Sequence, residues 1–116
     1  MLQTGLEHVE SKEAFDALLK EHENVMLCCG RMGPMCLPVY DIMENLRDRY
    51  PNVAFRDMDF DGPASHLIRR LPEVRSFTGL PFTIYFKNGQ VVEATSSIQT
   101  RAQVEGILNR VFRKAA

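Results

Sequence analysis

Tryptophan is absent from this 116-residue chain, and cysteine occurs three times, at Cys28, Cys29 and Cys36. An odd number of thiols makes a poor disulfide framework and suits a reducing compartment. No stretch reaches the ~18 apolar residues that a membrane span needs. An excess of one charge is missing as well: 14 basic against 15 acidic residues leave a formal charge of -1. Such a balance offers no field for nucleic acid or for an anionic membrane. The start of the chain, Met1 to Glu10, lacks the basic opening and apolar middle of a signal peptide, so a cytoplasmic location is expected.

The rest of the composition is that of a globular domain. With 45% hydrophobic residues, a chain of this length buries roughly two thirds of its unfolded surface and needs no disulfide or metal staple. One domain, residues 1–116, is expected. No internal repeat, linker or low-complexity stretch divides it.

Hydrophobic periodicity places the elements. Ser11 can cap a helix reaching Glu21, whose apolar residues Phe15, Leu18 and Leu19 recur at helical spacing. Val25 to Cys29 is a short apolar run, the signature of a buried strand. Gly30 to Pro34 interrupts it. Val39, Ile42, Met43 and Leu46 then mark one face of a helix over Met35 to Tyr50. Pro38 fits only its first turn, or else a kink.

Val53 to Asp61 reads as a strand with Met58 and Phe60 turned inward and Asp57 and Asp59 solvated; Ala64 to Arg70 is helix-sized. Asn88-Gly89 supplies the positive φ angles of a tight hairpin between Thr83–Phe86 and Val91–Ala94. Thr100 and Gln103 form a capping box for a last amphipathic helix running to Lys114. Strands alternating with helices imply parallel pairing, and the hairpin adds an antiparallel edge.

This order of elements resembles thioredoxin. The likeness spans Glu7 to Phe112 and rests on Phe77-Thr78-Gly79-Leu80-Pro81 before a strand, Phe86-Lys87-Asn88-Gly89 closing it, and Asp59-Phe60-Asp61 ending the middle strand. The resemblance implies an α/β thioredoxin fold: three layers, with a central mixed sheet flanked by helices. It also implies that Leu80-Pro81 is a cis peptide bond and that the chemistry lies at Cys28 to Leu37. In the family, an N-terminal cysteine attacks a substrate disulfide and a second cysteine three residues on resolves the mixed disulfide.

That pair is missing. In one register Met32-Gly33-Pro34-Met35 puts methionine at both cysteine positions. In the other, Gly33-Pro34-Met35-Cys36 keeps only the resolving position. A thioether has no acidic proton and does not exchange with disulfides. The family's buried acid and neighbouring lysine are replaced by Met26 and Asp57.

Cys36, near a helix N-terminus that favours thiolate, is the candidate catalytic thiol. Cys29, ending the strand, is its candidate partner across the loop, and Cys28 alternates to the other face as a core residue. Thioether with thiolate would suit Cu(I), but methionine equally makes adaptable binding surfaces, and no metal or cofactor is expected. His8 and His22 read as surface residues.

Two functions follow. The first is a divergent thioredoxin-like protein of thiol-disulfide redox homeostasis, acting on protein substrates through Cys36 and Cys29. The second is a non-catalytic or chaperone-like module. It would dock a partner polypeptide at Met32, Gly33, Pro34 and Met35 together with Leu80 and Pro81, where the family pairs extended substrate with its backbone.

Overall fold

The computed structural model describes residues 2–76 and 78–112, with the backbone alone for Arg75 and Ser76. Among these residues, nine regular elements and one short 3₁₀ turn follow in order: β1 (Glu7–His8), α1 (Lys12–Glu21), β2 (Asn24–Gly30), α2 (Leu37–Leu46), β3 (Ala54–Asp59), α3 (Ser65–Arg69), the 3₁₀ turn Pro72–Ser76, β4 (Phe82–Lys87), β5 (Gln90–Ser96) and α4 (Arg101–Val111). The strands form one sheet in the order β1-β3-β2-β4-β5. β1 and β2 run parallel to β3, whereas β4 runs antiparallel to both β2 and β5. Among the described residues, no helix is long and apolar enough to cross a membrane.

Local chemistry accounts for the boundaries. The Ser11 hydroxyl accepts the Ala14 N–H at 3.0 Å, which satisfies one orphan donor of α1. Thr100 and Gln103 exchange reciprocal bonds of 3.1 and 2.8 Å at the start of α4. Asn88 and Gly89 have φ of 52° and 78°, the left-handed pair that a two-residue hairpin requires.

The sheet is covered on both sides. Met26 and Cys28 of β2 pack with Val39, Tyr40 and Met43 of α2 and with Val104 and Leu108 of α4. Val25, Leu27 and Cys29 point the other way, into a cluster with Leu18 of α1 and Ile68 of α3. Double burial explains why all seven residues of β2 are buried and why its sequence shows no polar alternation.

Several expectations are corrected. α2 begins at Leu37, with Cys36 as its cap and Pro38 in the first turn, and it ends at Leu46. Pro38 has no N–H to leave unpaired there, and non-helical turns carry the chain from Arg47 to Tyr50. The middle strand is shorter than its sequence pattern, stopping at Asp59. β1 and the 3₁₀ turn, both too short to show periodicity, were not anticipated. Phe77 and Lys114, included in the sequence reading, lie outside the described residues.

Candidate functional site

β2 runs through the middle of the sheet and delivers the chain to the site at Gly30. Antiparallel pairing of Cys29 with Phe82 brings the Leu80–Pro81 turn alongside that exit. The Leu80–Pro81 bond is cis. On the other side, the Gly30 carbonyl accepts the Phe60 N–H at 2.9 Å, tying in the end of β3. Three chain segments therefore converge where α2 begins.

Gly30 is required by close packing. A Cβ there would lie 2.7 Å from the Tyr40 hydroxyl oxygen and 2.9 Å from Cys36 Sγ. Cys36 is turned inward and only 3% exposed. Its sulfur accepts the Arg31 N–H at 3.4 Å, and its own N–H donates to the Gly33 carbonyl at 3.0 Å. The Tyr40 hydroxyl donates to the Arg31 carbonyl at 3.3 Å. Burial, with the Cys28 and Cys36 thiols nearby, holds the Tyr40 phenol well above its usual range.

The loop that leads into α2 has the opposite character. Met32, Met35 and Leu37 are 40%, 44% and 39% exposed. Pro34 is also exposed, Gly33 and Leu80 are half-buried, and Pro81 is buried. Met26, Met43 and Met58 are at most 1% exposed, so the methionines among the described residues divide sharply between core and loop. Met32 Sδ accepts the Gln3 N–H at 3.3 Å.

Arg31 anchors the start of this loop. Its guanidinium makes two bonds to Asp61, of 2.6 and 2.9 Å, a bidentate geometry. Arg31 and Arg69 also stand 5.6 and 3.9 Å from the centroid of the Phe60 ring. Hydrogen bonding from Arg31 holds the Asp61 carboxyl below its ordinary range.

The pairing of Cys29 with Cys36 is not what the fold provides. Cys29 points into the α1–α3 side of the sheet, whereas Cys36 packs on the α2–α4 side. Cys28, expected to face away, is the cysteine that shares the Cys36 side. The expectation failed because it took the last residue of the strand as the one nearest the loop. β2 actually continues through Gly30, whose side of the pleat matches that of Cys28. All three thiols are free and buried. Desolvation raises Cys28 and Cys29 above the ordinary thiol range.

Asp57 is the second correction. It is fully buried rather than solvated. Thr4 Oγ1 donates to its Oδ2 at 2.5 Å, and His8 Nδ1 lies 2.5 Å from its Oδ1. Desolvation raises its pKa against the opposing effect of those two bonds. His8, expected at the surface, is only one-quarter exposed in its side chain. The missed signal was β1: strand pairing of His8 with Asp57 covers the flank that alternation had assigned to solvent. Asp57 is also the strand neighbour of Cys28, which in turn pairs with Thr83. Among the described residues, no three His, Cys, Asp or Glu side chains form a group that could hold a metal.

No protein-family model and no curated protein matches the sequence. Solved structures do match. A thioredoxin of Plasmodium falciparum is 19% identical with a TM-score of 0.74, over 91% of this chain and 99% of that one. A mutant thioredoxin from Halobacterium salinarum is 15% identical with a TM-score of 0.77, over the whole of both chains. A thioredoxin from Trypanosoma brucei brucei is 17% identical with a TM-score of 0.75, over 95% of this chain and 93% of that one. At these identities the likeness establishes the architecture, and the chain is a thioredoxin-fold protein.

Proposed function

We propose that this thioredoxin-fold chain holds an extended segment of a partner polypeptide against Met32, Pro34, Met35 and Leu37 and the Leu80–Pro81 turn, without dithiol exchange. The joint exposure of Met32, Met35 and Leu37 beside the open end of the central strands carries this reading. Covering what remains exposed of the three contributes on the order of 4–6 kcal/mol at about 25 cal/mol per Å². That is too little for a tight complex once association entropy is counted, so backbone pairing with the partner must add to it. Unbranched methionines can refit to different side chains, which suits a site that accepts several sequences.

The test is fluorescence anisotropy with labelled, reduced and carboxymethylated α-lactalbumin as an unfolded probe. A folded Met32→Lys, Met35→Lys variant should bind at least about tenfold more weakly, since each buried lysine charge opposes docking. Equal affinity for the two proteins would remove this loop as the contact surface.

A second reading has a specific observation in its favour. The Arg31 N–H on Cys36 Sγ, at the N-terminus of α2, supports redox chemistry on protein thiols or disulfides through Cys36. Cys36 is covered, so a bulky disulfide reaches it only if the Arg31–Met35 loop moves. Reduction of insulin by dithiothreitol should then be far slower than with a dithiol thioredoxin. The residual rate should vanish in Cys36→Ser. A Cys36→Ser protein that kept the whole rate would end this reading.

A further inference from the structure

The two adjacent cysteines of β2 face opposite sides of the sheet, and only Cys28 shares a side with Cys36. The Cys36 sulfur lies 2.9 Å from where a Cβ on Gly30 would stand. Gly30 is two residues beyond Cys28 on the same face of the strand, a spacing of about 6.6 Å. Cys36 Sγ therefore lies on the same face as the Cys28 side chain and within about 10 Å of its Cβ, under the first turn of α2. Seven residues separate them in sequence, two of them glycines.

We propose that Cys36 and Cys28 are a redox pair that a small external disulfide converts to an intramolecular disulfide, with the first turn of α2 closing onto β2. The proposal rests on the redox reading of Cys36 and supplies the partner that Cys29 cannot be. Cys36 reacts first. Its sulfur accepts the Arg31 N–H at the start of α2, beside the exposed loop by which a small disulfide would arrive. Cys28 has one weak donor, the Thr83 hydroxyl at 3.7 Å, and the Asp57 carboxyl as its strand neighbour.

With oxidised glutathione as the disulfide, the Cys36 thiolate attacks one sulfur. A Cys36–glutathione bond forms and one glutathione leaves as thiolate. The Cys28 sulfur then attacks Cys36 Sγ, the Cys28–Cys36 bond forms, and the second glutathione leaves. Two protein thiols are oxidised by two electrons, the external disulfide is reduced to two thiols, and the protein's two protons end on them. Small disulfides are favoured over protein ones because both thiols are buried. Closure needs the Cα atoms brought within about 7 Å, which the short turn ahead of Leu37 must allow.

The experiment uses the full native chain with excess oxidised glutathione, followed by acid quench, denaturing alkylation and peptide mapping. The expected product is two hydrogens lighter than the starting chain. It is linked between Cys28 and Cys36, with Cys29 alkylated, and dithiothreitol reverses it. Cys28→Ala and Cys28→Ser should instead stop at a stable glutathione adduct on Cys36, and Cys36→Ser should not react under native conditions. A lasting glutathione adduct on Cys36 of the unmutated chain would overturn the pairing and leave the redox reading intact. A Cys29–Cys36 link would overturn the pairing as well. No reaction at any cysteine in the native chain would overturn both. The main readout needs no mutant, so it stands even if a variant fails to fold.

Discussion

The two sides of the central sheet are built on different principles. On the α1–α3 side, Val25, Leu27, Cys29, Ile84 and Phe86 pack with Leu18, Met58 and Ile68, and the charged Arg56 beside Leu27 is half-buried rather than sealed in. On the α2–α4 side, the core also carries polar groups: Asp57, Thr83, Tyr40, Tyr85 and the Cys28 and Cys36 thiols. One row runs across that face from β1 to β4, through His8, Asp57, Cys28 and Thr83 in successive register. One side therefore supplies stability by burial, and the other combines burial with chemistry that must be satisfied group by group. Adjacent residues 28 and 29 have different prospects for this reason alone.

Substitutions on the two sides should separate these roles. The largest effect is expected on the apolar side. Ile84 is fully buried, and Ile84→Ala should cost about 2–5 kcal/mol in urea unfolding with little effect on Cys36 reactivity. An equal loss of thiol reactivity would mean that the two sides are not separable.

Next is Gly30→Ala, whose new methyl would meet the Tyr40 hydroxyl and Cys36 Sγ. Overpacking of this kind costs about 1–3 kcal/mol. Here it should also expose Cys36, so that Ellman's reagent labels it faster in the native state. Unchanged stability and labelling would contradict the contact.

Tyr85 is fully buried and its hydroxyl has no hydrogen-bond partner among the described residues. Tyr85→Phe should therefore be neutral or stabilising by roughly 1 kcal/mol, because an unsatisfied buried hydroxyl disfavours folding. A loss of more than about 1 kcal/mol would show that the hydroxyl has a partner.

The subtlest effect concerns pH. The folded state raises the Asp57 pKa, chiefly by desolvation. The folded protein then binds a proton that the unfolded chain has already released. Asp57 therefore contributes stability that is fully present below the ordinary carboxylate pKa of about 3.9 and is lost as pH rises through its raised folded value. Compared with Asp57→Asn, the unmutated protein should lose urea stability as the pH rises above about 4. Parallel profiles would contradict the buried carboxyl.

Most of the fold was legible because its signals are local. Ser11, Thr100 with Gln103, and Asn88 with Gly89 each fix a boundary by their own hydrogen bonds or backbone angles. The apolar run of β2 announced burial but not side, because a strand covered on both faces has no polar alternation to set its phase. This is why Cys28 and Cys29 were exchanged. Asp57 was misread for a related reason: its cover comes from β1 and Thr4, about fifty residues earlier in the chain. The exposed methionines were legible only as replacements for cysteine; their exposure depends on the turn before Leu37.

The most direct test of docking without dithiol exchange is methyl NMR on protein labelled at the methionine methyl groups, titrated with carboxymethylated α-lactalbumin. The Met32 and Met35 methyls should shift on addition of the probe, while those of Met26, Met43 and Met58 stay in place, sealed in the core. Unmoved Met32 and Met35 signals at saturating probe, or shifts confined to the buried methionines, would contradict the account.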